Sequence, residues 1–142
     1  MSKVDDLIAD FSMLDDWEDR YRYVIELGQA LPPYPDALRD EAHKVNGCVS
    51  QVWVDAQLDE ASGEPGDPAI VYHGDSDAHI VRGLVAIMIT TLSGRRASDI
   101  RDYDIEGTVK ELGLDEHLTP QRANGLRAMI QRMKQAADAA MA

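Results

Sequence analysis

The chain contains one cysteine in 142 residues, and this scarcity excludes most roles that cysteine has in proteins. One thiol leaves no intramolecular disulfide, no Cys-x-x-Cys redox pair and no zinc site built from several cysteines. It also excludes an iron–sulfur cluster held within one chain, because a cluster needs several cysteine ligands. A free thiol without a disulfide partner fits a reducing compartment, so we expect a cytoplasmic protein.

Positive charge and long apolar runs are also scarce. Fourteen Lys and Arg residues stand against 26 Asp and Glu, for a formal net charge of −12. Such a chain repels nucleic-acid phosphates, so we expect no nucleic-acid partner. The longest uncharged stretch, residues 83–94, is too short to span a bilayer, and residues 1–16 lack the features of a secretory signal. We therefore expect no membrane association.

The length and an apolar content of 44% predict one domain, residues 1–142, with a single core. Alternating polarity predicts a strand at residues 50–58, and a turn at residues 62–68 joins it to a second strand at residues 69–73. Apolar spacing of the helical type predicts helices at residues 4–11, 17–28, 36–42, 78–92, 98–102, 105–112 and 120–137. Helices before and after a small hairpin indicate the α+β class.

Several residues are candidate helix caps. Ser12 or Asp15 is expected to cap the second helix, and Asp75 or Asp77 the helix that begins near Ala78. Residues 43–46 are expected to form a short extended segment that leads towards the cysteine.

Cys48 lies in the sequence GCVSQVW at residues 47–53. Gly47 suits a tight turn, and the polar residues Ser50 and Gln51 favour a loop over a core. We therefore expect a thiol on a loop that leads into a strand. The alternative is that Cys48 is a small buried packing residue, as lone cysteines often are.

This heptapeptide resembles the active-cysteine motif of the SufE family, the sulfur-acceptor proteins of cysteine desulfurases. Further segments resemble the family in the same order along nearly the whole chain. They are WEDRY at residues 17–21, IELGQ at 25–29, LP at 31–32, GDSDA at 74–78, IVRGL at 80–84, HLTPQR at 117–122, GL at 125–126 and MI at 129–130.

The resemblance to SufE implies a small antiparallel sheet packed by helices from both chain ends, a fold thought to be shared with IscU-like Fe–S scaffold proteins. It also implies that Cys48 takes persulfide sulfur from a cysteine desulfurase of the SufS or CsdA type, stimulates its turnover and passes the sulfur on for Fe–S cluster assembly. The pyridoxal phosphate belongs to the desulfurase. This chain is expected to carry no cofactor or metal and to act as an accessory protein more than as an enzyme. A CsdE-like acceptor that serves another desulfurase and sulfur pathway is the alternative within the family.

Groups close to Cys48 are candidates for stabilising its thiolate or for binding the partner, since nearby cations favour the thiolate. The candidates are His43, Lys44, Gln51, His117 and Arg122. Arg122 stands first because its surrounding motif, and not only its charge, resembles the family. More broadly, residues 117–137 carry four cations and no acid. They indicate either a solvated helix face or a basic patch for a partner or an anion.

Three other functions compete with sulfur transfer. A stand-alone thiol enzyme would pair Cys48 with a histidine. The histidines are His43, His73, His79 and His117. A metal site would use regularly spaced imidazoles and carboxylates. Its ligands would be His73, Asp75, Asp77 and His79. The third alternative is an interaction domain in which Cys48 is inert.

A persulfide is easily lost to small thiols, so an acceptor benefits from a gate over its cysteine. Gly47 gives the loop conformational freedom, and Val49 is an apolar neighbour that could enter a cleft. We expect Cys48 to be sheltered in the free protein, in part by the helix that begins at Ala78, and to turn outward in the complex.

Overall fold

The computed structural model describes residues 3–47 and 50–141. Within them, two helices, α1 (Lys3–Ser12) and α2 (Trp17–Gln29), precede a hairpin of β1 (Val52–Glu64) and β2 (Asp67–Ser76). The helices that follow the hairpin are α3 (His79–Leu92), α4 (Ala97–Asp102), α5 (Ile105–Glu111), α6 (Leu114–His117) and α7 (Pro120–Met141). The α+β class, with a small antiparallel sheet and helices from both chain ends, is confirmed.

The hairpin presents one apolar face to the core. Its strands pair antiparallel, with Val52 opposite Ser76 and Asp59 opposite Ala69. Because side chains alternate across a strand, every second residue points to the same side. The buried hydrophobic residues of this inner face are Val52, Val54, Ile70 and Tyr72.

Helix α3 packs on the inner face of the hairpin and also contacts α2 and α7. Contacts on several sides explain why the apolar residues of α3 lie around most of the helix and do not form a single stripe. The approach of α2 requires glycine. A Cβ atom at Gly83 would overlap the carbonyl oxygen of Val24, which no side chain tolerates.

The outer face of the hairpin is polar and is covered by a segment that connects α2 to the sheet. We call residues 34–43 the covering segment. It contains a single 3-10 turn, Asp36–Leu38, where the sequence predicts a longer helix over residues 36–42. The prediction was wrong because this segment is held by side-chain contacts to the sheet and not by its own backbone ladder.

Several predicted boundaries also differ. Neither Ser12 nor Asp15 caps α2; Asp16 does, and its Oδ1 accepts a hydrogen bond from the amide of Glu18. The turn predicted at residues 62–68 is shorter, since β1 extends to Glu64 and β2 begins at Asp67. The short helix α6 was not predicted, because a single turn is too brief to show a periodicity.

Candidate functional site

The site is the loop between a short extended segment, residues 43–45, and strand β1. Cys48 and Val49 lie outside the described residues, while Gly47 and Ser50 on either side are described. Gly47 has a φ of 96°, a left-handed conformation that favours glycine. The predicted turn glycine is therefore found directly before the cysteine. The predicted burial of Cys48 and the predicted apolar contact of Val49 concern residues outside the described part of the chain.

The incoming arm of the loop, residues 42–47, pairs with β1. The amide of Val45 donates to the carbonyl of Val52 at 2.8 Å, and the amide of Val54 donates to the carbonyl of His43 at 2.9 Å. The extended segment predicted at residues 43–46 is found in part, since this pairing covers residues 43–45 and Asn46 lies in a turn. Gly47 lies beside α7, where an added Cβ would come to 3.4 Å from the Cβ of Ala128.

The outgoing arm, Ser50 and Gln51, is fastened to the turn that precedes α3. The amide of Gln51 donates to Oδ1 of Asp77 at 3.1 Å, and the amide of Asp77 donates to the carbonyl of Gln51 at 3.3 Å. Asp77 therefore closes a reciprocal pair of bonds on the loop. The prediction that Asp75 or Asp77 caps α3 was wrong, since the capping position is Ala78 and no side chain caps it.

A cavity of about 250 Å³ lies beside the outgoing arm. Its apolar lining comes from two helices, α3 and α7, and its polar lining comes from Ser50 and the first turns of α7. The lining residues are Ser50, Val81, Leu84, Thr119, Gln121, Arg122, Gly125 and Met129. Local sequence patterns do not predict this cavity, because its walls are far apart along the chain.

Arg122 is a candidate from outside the loop that lines the cavity beside the outgoing arm. Its half-buried side chain lines the same cavity as Ser50. Among the described residues, its guanidinium has no ion pair and no hydrogen bond. Arg122 lies in the first turn of α7, where Oγ1 of Thr119 accepts a hydrogen bond from the amide of Arg122.

The other cations of α7 are occupied by contacts within the chain. Arg127 donates to Asn124 at 2.7 Å, and Arg132 donates to backbone carbonyls of the incoming arm. Lys134 donates to the carbonyls of Arg101 and Tyr103 at 3.2 and 2.8 Å. Of the four cations that the sequence places on α7, Arg122 is the one whose side chain has no hydrogen bond or ion pair in the described part of the chain.

Three further candidates have contacts of their own in the fold. His43 places Nδ1 2.6 Å from Asp40 and Nε2 3.5 Å from Asp55, so both ring nitrogens face carboxylates of the outer face. His117 stacks on Trp17 with ring centroids 4.2 Å apart. Gln51 is held through its backbone at the outgoing arm. These contacts show where the three residues lie in the fold. Their roles toward Cys48 remain predictions.

Three of the four candidate ligands of the alternative metal site have separate partners. Asp75 is contacted by Arg39 and Arg82, Asp77 binds Gln51, and His73 lies 4.0 Å from Asp55. Within residues 3–47 and 50–141, no three His, Cys, Asp or Glu side chains are grouped so that they could hold a metal ion.

Comparisons with known proteins identify the family of this chain. The model of the SufE family, described as an Fe–S metabolism associated domain, matches residues 5–137. The chain belongs to the SufE family. Membership supports a role in sulfur transfer in general and an interaction with a cysteine desulfurase in general.

Two bacterial relatives support the same assignment. An uncharacterized SufE-like protein of Rhizobium meliloti (strain 1021) is 52% identical over 138 residues, which cover 97% of this chain and 96% of the relative. A SufE-like protein of Rhizobium etli, also uncharacterized, is 51% identical over 137 residues, with 96% and 90% covered. Both matches extend over almost the full length of the relatives.

A solved structure shares the fold of this SufE-family chain. The solution structure of a hypothetical protein from Thermus thermophilus superposes with a TM-score of 0.75 and 23% sequence identity, covering 99% of this chain and 98% of the other. Separately, the described helices include none that combines the length and the apolar content of a membrane span.

Proposed function

We propose that this chain accepts persulfide sulfur from a pyridoxal-phosphate-dependent cysteine desulfurase on Cys48, stimulates the turnover of that enzyme and passes the sulfur on for Fe–S cluster assembly. The observation that carries the proposal is the position of the chain's one cysteine. It lies in the GCVSQVW sequence of a SufE-family chain, and Ser50, the first described residue after it, lines a cavity. The proposed acceptor is one unit, residues 1–142, acting in the cytoplasm.

The transfer step needs no cofactor on this chain. The thiolate of Cys48 attacks the outer sulfur of the desulfurase Cys–S–SH, the S–S bond of the donor breaks, and the donor cysteine leaves as a thiolate. The outer sulfur keeps its proton, so the products are a Cys48 persulfide and a donor thiolate, without net oxidation. A second cysteine in this chain would attack the persulfide, but none exists.

Arg122 is the group that we propose to stabilise the charge of Cys48. A guanidinium near a thiolate or a persulfide anion favours the ionised form and lowers its pKa. Arg122 lines the cavity beside the loop and has no polar contact among the described residues that would compete for its charge. The apolar side chains that line the same cavity would strengthen this interaction, because they exclude water and so lower the effective dielectric constant.

The same cavity is the shelter that we propose for the sulfur. Val81 and Leu84 from α3 and Met129 from α7 provide apolar lining of a space of about 250 Å³, larger than a persulfide side chain. A sheltered persulfide is protected from small thiols until the next acceptor binds. The bonds between Gln51 and Asp77 would then have to loosen for the loop to open.

Mass spectrometry tests the acceptor function. The protein is incubated with a desulfurase and cysteine, without added reductant, and we expect Cys48 to gain the mass of one or more sulfur atoms. Cys48→Ser should gain none and should not stimulate the desulfurase. A wild-type protein that gains no sulfur from any competent desulfurase contradicts the proposal, and so does stimulation that survives Cys48→Ser.

The role of Arg122 is tested by the pH profile of Cys48 alkylation with iodoacetamide. Arg122→Ala should shift the profile to higher pH and slow sulfur acceptance, while Arg122→Lys should retain part of both. Arg127→Ala is the matched control, since Arg127 is a cation on the same helix whose guanidinium donates to Asn124 and does not line the cavity beside Ser50. Equal profiles for Arg122→Ala and Arg127→Ala would exclude this role.

Shelter is tested by comparing thiol reagents of different size. We expect slow labelling of Cys48 by a bulky maleimide in the free protein and faster labelling when a persulfide-incompetent desulfurase is bound. If Cys48 labels as fast as free cysteine without any partner, the loop is open and the cavity is not a shelter.

A further inference from the structure

The side chain of Arg132, on α7, forms hydrogen bonds with the backbone of the incoming arm. Its Nη1 donates to the carbonyl of Lys44 at 3.3 Å, and its Nη2 donates to the carbonyl of Ala42. Arg132 lies on α7, far from these residues in sequence, so the two bonds join the last helix of the chain to the segment that leads to Cys48.

The position of the two carbonyls explains why an arginine is needed there. Residues 43 and 45 use their backbone groups to pair with β1. The groups of the alternate residues point to the opposite side, where no further strand among the described residues pairs with the arm. The carbonyls of Ala42 and Lys44 are therefore left for other donors. A guanidinium is a planar fork, so a single side chain can reach both.

Arg132 has no carboxylate partner among the described residues, although the chain carries a net charge of −12. Its charge is directed to the two carbonyls instead. The same helix also contributes Ala128, which lies beside Gly47, and Met129 and Arg122, which line the cavity. One rigid helix thus contacts the incoming arm at two places and supplies part of the cavity wall.

The two arms of the cysteine loop are fastened to different elements. The outgoing arm is held by Asp77, before α3, and the incoming arm by Arg132, on α7. Cys48 lies in the sequence between these two attachments. Its position relative to the cavity then depends on both, because a short chain segment has little freedom when both ends are fixed.

We infer that Arg132 is a positioning residue for Cys48. It fixes the incoming arm to α7 and so sets how the thiol is presented for sulfur transfer. This inference rests on the proposed acceptor function for its consequence in transfer, but the fixation of the arm can be measured without any partner protein. Arg132 acts through the backbone of the arm and is not itself expected to touch the sulfur.

The first test uses the free protein. Hydrogen–deuterium exchange of peptides that cover residues 42–47 is compared between wild type, Arg132→Ala and Arg132→Lys. We expect Arg132→Ala to speed exchange in this arm by about tenfold, since bonds from a charged donor are lost and local opening becomes easier. Arg132→Lys, with a single ammonium in place of the fork, should lie between the two. Guanidinium ions at millimolar concentration should partly restore slow exchange in Arg132→Ala.

Lys134→Ala is the matched control. Lys134 also joins α7 to two backbone carbonyls, but these belong to Arg101 and Tyr103, away from the cysteine loop. It should leave exchange in residues 42–47 unchanged. If Arg132→Ala and Lys134→Ala speed exchange there equally, Arg132 only helps to hold α7, and the inference is overturned. Unchanged exchange in Arg132→Ala overturns it as well.

The second test measures sulfur acceptance as a function of acceptor concentration. Arg132→Ala should lower kcat several-fold with little change in KM, because presentation of the thiol is impaired while the partner still binds. An increase in KM alone would assign Arg132 to partner binding and contradict a positioning role. If the wild-type protein accepts no sulfur, the proposed function fails, yet the exchange experiment still decides whether Arg132 fixes the arm.

Discussion

The two faces of the β-hairpin are built from alternate residues of the same strands, yet they are held by different forces. The inner face is apolar and packs on α3, with Val52 and Ile70 fully buried. The outer face carries Asp55 and Asp75, which are nearly as well buried, beneath the covering segment at residues 34–43. One face is stabilised by the removal of apolar surface from water and the other by ion pairs and aromatic contacts.

On the outer face, Arg39 of the covering segment is the central contact. Its Nη2 lies 2.7 Å from Oδ2 of Asp75, and its guanidinium lies over the rings of Tyr34 and Trp53 at 5.3 and 5.1 Å. Arg82 approaches Asp75 from α3, with Nε 3.1 Å from Oδ1, but Nε is not aligned for a hydrogen bond. Ion pairs and cation–π contacts are directional. They therefore fix which residues of the covering segment lie over which residues of the hairpin, which apolar packing alone leaves free.

Burial on the outer face also changes the chemistry of Tyr34. Its side chain is buried against the sheet, and this burial, assisted by the charges of Asp55 and Asp40, raises the pKa of Tyr34 to about 12. Its hydroxyl donates to the carbonyl of Leu38. The two faces should therefore lose stability in response to different changes. The outer face is sensitive to pH and to the loss of single charges, while the inner face is sensitive to the loss of side-chain volume.

The largest effect is expected from a cavity on the inner face. Ile70→Ala removes a fully buried side chain and should lower the free energy of unfolding by about 3 kcal/mol, in the range for core isoleucines. Urea denaturation followed by circular dichroism measures this. Leu58→Ala on the same hairpin is the control, because Leu58 is 52% exposed and should change stability little. Similar losses for both would contradict the view that stability at this face depends on burial.

A smaller loss is expected on the outer face. Asp75→Ala leaves Arg39 and Arg82 without their shared carboxylate, and we expect a loss of about 2 kcal/mol, below that of fully buried pairs because both arginines remain partly hydrated. The same denaturation experiment applies. Asp36→Asn is the control, since Asp36 also pairs with Arg39 but is almost fully exposed. If Asp75→Ala is as stable as wild type, the outer face is held by its aromatic contacts instead.

A single hydroxyl tests a buried polar bond of the inner face. Tyr72 donates to the carbonyl of Met133 on α7 at 2.7 Å, in a buried position. Tyr72→Phe keeps the ring and should cost about 1 kcal/mol, the typical contribution of one hydrogen bond. A calorimetric melting curve detects the change. A variant as stable as wild type would mean that the carbonyl finds another donor.

The smallest effect is a pH dependence confined to the outer face. A hydrogen bond with His43 lowers the pKa of the Asp40 carboxyl below its ordinary 3.8. A carboxyl with a lowered folded pKa stabilises the fold above its ordinary value, and this contribution is lost as the pH falls through the lowered pKa. Asp40→Asn should therefore show a slightly shallower loss of stability on acidification below about pH 4. Parallel acid-unfolding curves for the variant and the wild type would contradict the lowered pKa of Asp40.

Much of the fold could be predicted from local patterns. The helices α1, α2, α3 and α7, the hairpin and the extended segment before the cysteine all follow from periodicity and turn residues. Asp75 and Asp77 mark the limit of such predictions. Both are good helix caps by residue type, but Asp75 is taken by two arginines and Asp77 by Gln51, residues that are distant in sequence.

By itself, the sequence determined that a single thiol, in a motif of the SufE family, is the chain's candidate for sulfur chemistry, because composition excludes every role that needs a second cysteine. It also marked Arg122 as a candidate. Only the tertiary structure decided which cations of α7 have contacts within the chain, that Arg122 lines a cavity beside Ser50, and that Arg132 and Asp77 hold the two arms of the loop. The reason is physical: periodicity reports which face of an element is buried, but the partner of a side chain depends on how the elements pack together.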